Sequence, residues 1–457
     1  MADQHAPQRI LVVGGGYVGM YVTLRLLKKL RSGEAEVTVV DPRSYMTYQP
    51  FLPEAAAGSI QPRHVVVPLR KVLKGAKVLT GAVTAIDHDA HTATFKPLEG
   101  SAYPLEYDHI VMAAGSVSRT LPIPGLAECA TGFKSVEEAI QLRNRVLECM
   151  DIAESTHDVD VRTRNLAFVV VGGGYAGIEA LAELEDMSRY AARYYPSIEP
   201  SDLRWILVEA SDRILPEVGP DMGKWTLEQL QERGIETRLS TRLESCVGGH
   251  VVLSDGTECD SETIVWTAGV KSAPLADNAG FPLDPRGRVL TSTTLNVTGF
   301  DDAWSAGDIA SVRDLTSDDP DATCSPSAQH AVRQSAVLAD NLIATLRGKA
   351  PRDYRHKHAG SVASLGLYKG VAQVYGVKLK GFPAWFMHRT YHVSRVPTVS
   401  RKVQVLIDWT QALFFKRETV SLWSMHEPFS TFQQAARDNT GPSNDPGPSN
   451  DTGPREN

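Results

Sequence analysis

Two glycine-rich turns, each followed at a distance by an acidic residue, have the residue types and spacing to do chemistry. Gly14, Gly16 and Gly19 hold the G-x-G-x-x-G pattern, and Asp41 stands 22 residues after Gly19. Gly172, Gly174 and Gly177 repeat the pattern, and Glu209 closes the apolar run 205–208. In such a turn the first glycine permits a tight bend, the second lets a pyrophosphate approach the backbone, and the third lets helix and strand pack closely. Helix N-terminal amides then face the phosphates, and the carboxylate accepts hydrogen bonds from an adenosine ribose. A single copy also closes ordinary strand-to-helix connections, but two copies with matching acids imply two dinucleotides.

The elements that must position these turns are legible around them. Residues 10–13 are an apolar run of the kind that forms a buried parallel strand, residues 18–30 continue as an apolar helical pattern, and 37–40 form the next strand. Residues 168–171 and 205–208 play the same parts in the second unit. Each unit later ends a strand in small residues, at Ala113, Ala114 and Gly115 and again at Thr267, Ala268 and Gly269, where the chain can pass close to a ligand. Further strand signals lie near 65–67 and 77–80. Between them, residues 46–53 form an aromatic, proline-stiffened loop suited to lining a flat ring. The segment 301–308 ends in Gly307 and Asp308, which can direct a carboxylate at a polyol chain, and a helix follows from about 327 to 346. The fold class expected is α/β, with two Rossmann-like dinucleotide-binding domains.

Several acids and bases carry bland readings. Glu183, Glu185 and Asp186 on the second motif's helix read as a solvated face, and Gln329 and His330 as ordinary surface residues. Glu179, two residues beyond Gly177, divides evenly between a dipole-stabilising acid and a group beside the second nucleotide's reactive end.

Composition limits the rest. With 42% hydrophobic and 22% charged residues over 457 positions, the chain is neither disordered nor fibrous. A net charge of -7 gives no support for nucleic-acid binding. Five scattered cysteines, never in C-x-x-C spacing, offer no zinc site and suit a reducing compartment. Residues 1–8 carry no targeting pattern, and no window is apolar for the length a spanning helix needs.

From 376 to 417 the composition shifts to eight Lys or Arg against one acid, Asp408, interleaved with aromatic residues. Val403, Leu406, Ile407, Thr410, Leu413 and Phe414 recur at helical spacing, as in an amphipathic helix lying on a membrane; a dimer interface or core helix would use the same stripe. The repeated Gly-Pro units after Arg437 read as a disordered tail.

Taken together, these motifs resemble the flavoproteins with two dinucleotide-binding domains, over residues 8 to about 345. Within that group, the Tyr48-Gln-Pro loop, Glu179, the helix start Ala328-Gln329 and the amphipathic C-terminus are similar to type II NADH dehydrogenases, single-chain NADH:quinone oxidoreductases that pump no protons. The resemblance implies FAD on Gly14, Gly15, Gly16, Gly19, Asp41, Gln49, Val83, Gly115, Asp308 and Gln329. It implies NADH on Gly172, Gly174, Gly177, Glu179, Glu209 and Gly269, and a membrane quinone near Gln329 and His388. Glu179 and Gln329 are the expected catalytic side chains, and no metal is expected.

One departure is that the family's second helix glutamine is replaced here by Arg333, with Gln334 following. Another is that His388 and Arg389 stand near the position of the family's frequent lysine. The implied organisation is 1–120 and 286–375 for the FAD domain, 121–161 as a helical connection and 162–285 for the NADH domain. Residues 376–430 form the anchor and 431–457 the tail, on a protein attached peripherally to the cytoplasmic face of the cell membrane. Two alternatives stand beside this one: a sulfide:quinone oxidoreductase using Cys129 and Cys324, and a non-enzymatic membrane-bound flavoprotein that senses NADH.

Overall fold

A computed structural model describes residues 6–357, 360–415 and 417–421. The expected tail at 431–457 and the end of the expected anchor lie outside these residues.

The run Gln8–Val13 lies inside a seven-stranded sheet, with Ala35–Asp41 on one side and His109–Met112 on the other, both parallel to it. Lys77–Asp87 extends the sheet in parallel beyond Ala35–Asp41, and Thr92–Pro97 and Tyr103–Glu106 continue it in antiparallel fashion. At the opposite edge Ala303–Ser305 pairs with His109–Met112, so the chain returns to its first sheet after nearly 200 residues elsewhere. The second sheet repeats the arrangement around Ala167–Val171, flanked in parallel by Arg204–Val208 and Thr263–Trp266. Its edges are Glu236–Arg238 and Ala130–Gly132, the latter a short strand within a stretch that the sequence reads as helical.

Both central strands are covered on two faces, which explains their unbroken apolar runs. Val12, Val39, Val169 and Val170 have no exposed surface, and each such side chain contributes roughly 1.5–3 kcal/mol relative to exposure. Phe168 and Trp205 stack at 4.5 Å between centroids across neighbouring strands. The first motif's helix, Tyr17–Lys29, lies along the late helix Ala328–Leu346, and Arg25 and Lys29 share the carboxylate of Asp340 at 2.6 Å each.

Three bland readings are overturned by what the C-terminal part does. Glu183 and Glu185 are fully buried rather than solvated, because the antiparallel sheet Gly360–Ser364, Gly370–Val374 and Val377–Lys380 and the segment beyond Phe415 fold over their helix, Tyr175–Ala191. Glu185 is paired with Arg189 and Arg233, Glu183 with Arg417, and Asp186 with Arg417 at 3.0 Å. His330 is buried as well, with Nδ1 at 2.9 Å from Tyr354 Oη.

The basic C-terminal segment forms two helices, Phe382–Arg395 and Val399–Phe415. The stripe Val403, Leu406, Ile407, Thr410, Leu413 and Phe414 is exposed, and Phe382 and Phe386 extend an apolar surface on the first helix. Not all of the positive charge joins that surface. Arg389 is sandwiched between the indoles of Trp385 and Trp409 at 4.3 and 4.6 Å and donates to buried Glu54 at 2.8 Å, while Arg417 is buried against Glu183. The single acid, Asp408, also turns inward and holds His64 Nδ1 at 2.6 Å. No helix among the described residues is long and apolar enough to cross a membrane.

Candidate functional site

The two glycine turns are built alike. Asp41 Oδ2 accepts a hydrogen bond from the Gly15 backbone N–H at 2.6 Å, and Oδ1 accepts from Arg43 N–H at 2.7 Å. In the second unit Glu209 Oε2 accepts from Gly173 N–H and Oε1 from Ser211 N–H at 2.7 Å. Each carboxylate thus fastens the end of its strand to the middle of its glycine turn. Burial pushes the Asp41 carboxyl above its usual range, while the bonds from Gly15 and Arg43 oppose the shift.

Gly14 and Gly172 have φ of +106° and +118°, and a Cβ on Gly19 or Gly177 would overlap the carbonyl oxygen of the preceding glycine turn. Gly16 and Gly174, by contrast, have open space where a Cβ would stand. Tight turn, close approach and helix packing are therefore divided among the glycines as their spacing predicts.

A cavity of about 580 Å³ runs over the first turn. Gly14, Gly16, Asp41, Gln49, Val83, Gly115 and Asp308, drawn from separate parts of the chain, all line it. Gly15, Gly19 and Gln329 do not: Gly15 faces Asp41, Gly19 packs helix on strand, and Gln329 points elsewhere. The residues fit a long, polar dinucleotide. Gly16 and Gly115 leave backbone open to the cavity, Asp41 and Asp308 place carboxylates along it, and the buried Thr47 Oγ1 beside it has no hydrogen-bond partner.

Sequence reasoning missed Lys134 and Ser116, which also line the cavity. Lys134 Nζ donates to Ser116 Oγ, which donates to Asp308 Oδ2 at 2.7 Å. Lys134 follows the edge strand of the second sheet, so no spacing within the first motif points to it.

Glu179 is buried, accepting from Ser364 N–H at 2.8 Å, and its Oε1 lies 3.2 Å from His388 Nε2. The His388 ring is 1% exposed and its approach to Glu179 is too oblique for a hydrogen bond. It meets His392 at 4.5 Å, and His392 Nδ1 lies 3.3 Å from Tyr48 Oη. Burial holds the His392 pKa well below its ordinary value, with His388 adding to the effect. Two residues expected in different roles are thus neighbours, and His392 and Tyr48 join them.

Gln329 begins the helix Ala328–Leu346, where Ala328 reaches the cavity. Its Nε2 donates to Gly360 O at 3.2 Å, and its Oε1 lies 3.2 Å from His356 Nε2. Arg333 donates back to the Gln329 carbonyl at 2.9 Å, and Gln334 Oε1 accepts from Gly307 N–H at 2.8 Å, supporting the turn that carries Asp308. Gly269, with φ of +99°, ends the second unit's last strand with open space beside it. All five cysteines are free, and neither Cys129 nor Cys324 lines the cavity.

Comparison with known proteins agrees with this geometry. The family model described as pyridine nucleotide-disulphide oxidoreductase matches residues 8–335. A type II NADH:quinone oxidoreductase of Staphylococcus haemolyticus is 30% identical over 84% of this chain and 93% of its own length. A probable NADH dehydrogenase of Dictyostelium discoideum is 29% identical over 91% of each. Among solved structures, NDH2 of Plasmodium falciparum, determined in complex with NADH, superimposes with a TM-score of 0.83 at 16% identity, covering 90% of this chain and 99% of that one. With its duplicated glycine turns, the cavity over the first of them and relatives that match along nearly their whole length, the chain belongs to the pyridine nucleotide-disulphide oxidoreductase family and, within it, to the type II NADH:quinone oxidoreductases.

Proposed function

We infer that this protein is an FAD-dependent enzyme that oxidises NADH and reduces a quinone by two electrons without pumping protons. The observation that carries this reading is the pairing of two carboxylate-fastened glycine turns, Asp41 with Gly15 and Glu209 with Gly173, one of them opening on a cavity of cofactor size. The bound cofactor supplies the redox chemistry, taking a hydride from NADH and passing two electrons on. The chain's part is to bind, orient and shield.

We assign FAD to residues 1–120 and 286–375, and NADH to 162–285 with 121–161 as the connection. The late strand Ala303–Ser305 in the first sheet supports this assignment, and Ala130–Gly132 carries the connection into the second sheet. Asp41 and Asp308 would hold the cofactor's ribose and polyol hydroxyls, and Gly14, Gly16 and Gly115 leave room for it. Glu209 would hold the ribose of NADH, beside Gly172, Gly174, Gly177 and Gly269.

Glu179 and His388, sealed between the second motif's helix and Phe382–Arg395, are assigned to the quinone side as an acid and base in contact. Gln329 is assigned as a hydrogen-bond donor to a quinone carbonyl whose negative charge grows during reduction; its present bonds to Gly360 and His356 would hold it in place or exchange for the quinone. The exposed stripe on Val399–Phe415 fits a lipid surface and supports peripheral attachment, which we assign to the cytoplasmic face of the membrane. Neither the half-buried Cys129 nor the buried Cys324 lines the cavity, which argues against sulfide as the electron donor; burial pushes the Cys324 thiol up to about 11, where it is a poor nucleophile.

The test is anaerobic mixing of purified protein with NADH, and separately with sulfide, followed by a soluble quinone. Flavin absorbance should bleach with NADH and recover with quinone. Bleaching by sulfide alone, or reduction by NADH that quinone cannot reverse, contradicts the reading.

A further inference from the structure

We propose that His356 is a positioning residue for quinone reduction: it holds the Gln329 amide by its oxygen, so that Gln329 meets the quinone through its nitrogen. The proposal rests on the assignment of Gln329 to the quinone side.

The direction of the amide is set by chemistry rather than by shape. The two ends of a glutamine side chain are nearly equal in size, so packing alone does not choose which of them points at an incoming carbonyl. The carbonyl oxygen of Gly360 can only accept, and the end that meets it at 3.2 Å is therefore Nε2. The other end, Oε1, faces His356 Nε2 at 3.2 Å. Two acceptors in contact repel, so this ring nitrogen carries a hydrogen, in the neutral Nε2–H form or in the imidazolium. Turning the amide over would set oxygen against oxygen at Gly360 and donor against donor at His356.

His356 is itself held from behind. After the helix Ala328–Leu346 the chain runs back along it, and residues 352–356 return to the turn that carries Gln329. The buried Asn341 side chain accepts from Arg352 N–H at 2.9 Å and donates to the Arg352 carbonyl at 2.8 Å. Tyr354 N–H donates to the Thr293 carbonyl at 2.8 Å, and Tyr354 Oη lies 2.9 Å from Nδ1 of buried His330. The His356 ring meets His330 edge to face, with centroids 5.8 Å apart. The imidazole thus comes to Gln329 on a segment fastened at both Arg352 and Tyr354.

The polarity matters because a quinone carbonyl gains negative charge as it is reduced. An N–H aimed at that oxygen stabilises the charge, an amide oxygen in the same place opposes it, and a donor fixed beforehand costs no reorientation during the reaction.

The experiment is stopped-flow measurement of the two half-reactions of the holoenzyme, with NADH and then with a short-chain quinone. At position 356 a glutamate can only accept near neutral pH, a lysine can only donate, and a phenylalanine does neither while keeping a ring against His330. His356→Glu should slow flavin reoxidation by quinone roughly tenfold or more, because it favours the reversed amide. His356→Lys should stay within about threefold of the parent, and His356→Phe should fall between the two. Flavin reduction by NADH should be unchanged in all three. In a Gln329→Leu background the differences among the three variants should vanish, which a merely structural role for His356 would not produce. Reoxidation by His356→Glu at the parent rate overturns the proposal, and so does an undiminished effect of His356→Glu in the Gln329→Leu background. Should His356→Glu not fold, reoxidation by His356→Phe equal to that of the parent is equally fatal. If Gln329→Leu alone leaves the quinone step unchanged, the assignment of Gln329 is what fails, and the proposal falls with it.

Discussion

Glu179 Oε1 lies 3.2 Å from His388 Nε2, although the two are separated by more than 200 residues and enter the site from different units. The contact joins the helix of the second dinucleotide motif to the first of the two C-terminal helices. Glu179→Gln retains an oxygen to accept from Ser364 N–H, so the fold should survive the change. With the charge gone, flavin reoxidation by quinone should slow roughly tenfold, the effect of about 1.4 kcal/mol, while reduction by NADH stays within threefold. Stopped-flow measurement of the two half-reactions checks this, and a defect confined to the NADH step would move Glu179 to the nicotinamide side.

Nucleotide preference should depend on Glu209. The carboxylate fastens the second turn; under the assignment proposed above it also accepts from the ribose 2'-hydroxyl of NADH and would repel a 2'-phosphate. The parent should favour NADH over NADPH, and Glu209→Gln should narrow the ratio of their kcat/KM values by roughly tenfold or more, since a hydrogen bond to a charged group contributes about 1.5–3 kcal/mol. Equal use of both nucleotides by the parent would show that Glu209 only braces the turn.

Arg417 should matter to stability well beyond its place near the end of the described chain. It pairs at 2.8 Å with Glu183, which has no exposed surface. Arg417→Met leaves that carboxylate buried without its partner and should cost about 3–5 kcal/mol. Burial raises the Glu183 pKa and Arg417 opposes the rise, so removing the arginine raises it further. A carboxyl with a raised folded-state pKa binds its proton more tightly when folded, so its stabilising contribution is present at low pH and is lost as pH climbs through that pKa. Denaturant unfolding should therefore show a smaller loss for Arg417→Met near pH 5 than near pH 7.5; an equal loss at both would mean that Glu183 stays charged.

Membrane attachment should follow the exposed stripe rather than the number of basic residues. Replacing Leu406, Ile407, Leu413 and Phe414 with serine removes apolar area from a face that already meets solvent, so the fold should be little affected. Sedimentation with anionic lipid vesicles should fall sharply in this variant, whereas high salt should only weaken binding of the parent. Undiminished sedimentation would place the contact on another surface.

How much of this was legible in the sequence depends on how local each signal is. Glycine spacing is a local property, because a backbone that bends tightly and then starts a helix needs small residues at fixed intervals. The motifs of both units, the carboxylates Asp41 and Glu209 and the unbroken apolar runs of the central strands could therefore be read directly. The exposed stripe of Val399–Phe415 was legible for the same reason, since helical spacing alone decides which residues share a face.

What only the tertiary structure decided is which charges are inside. Glu183 and Glu185 carry the same pattern as a solvated helix face, and nothing near them in the chain announces the sheet and the Arg417 segment that cover them. Arg389 looks like one more membrane-facing base until Trp385, Trp409 and Glu54 are seen to enclose it. Lys134 reaches a cavity whose other walls come from residues as distant as Asp41, Gly115 and Asp308. Burial and pairing are properties of contacts between remote segments, and the cost of burying a charge is set by partners that local spacing does not encode.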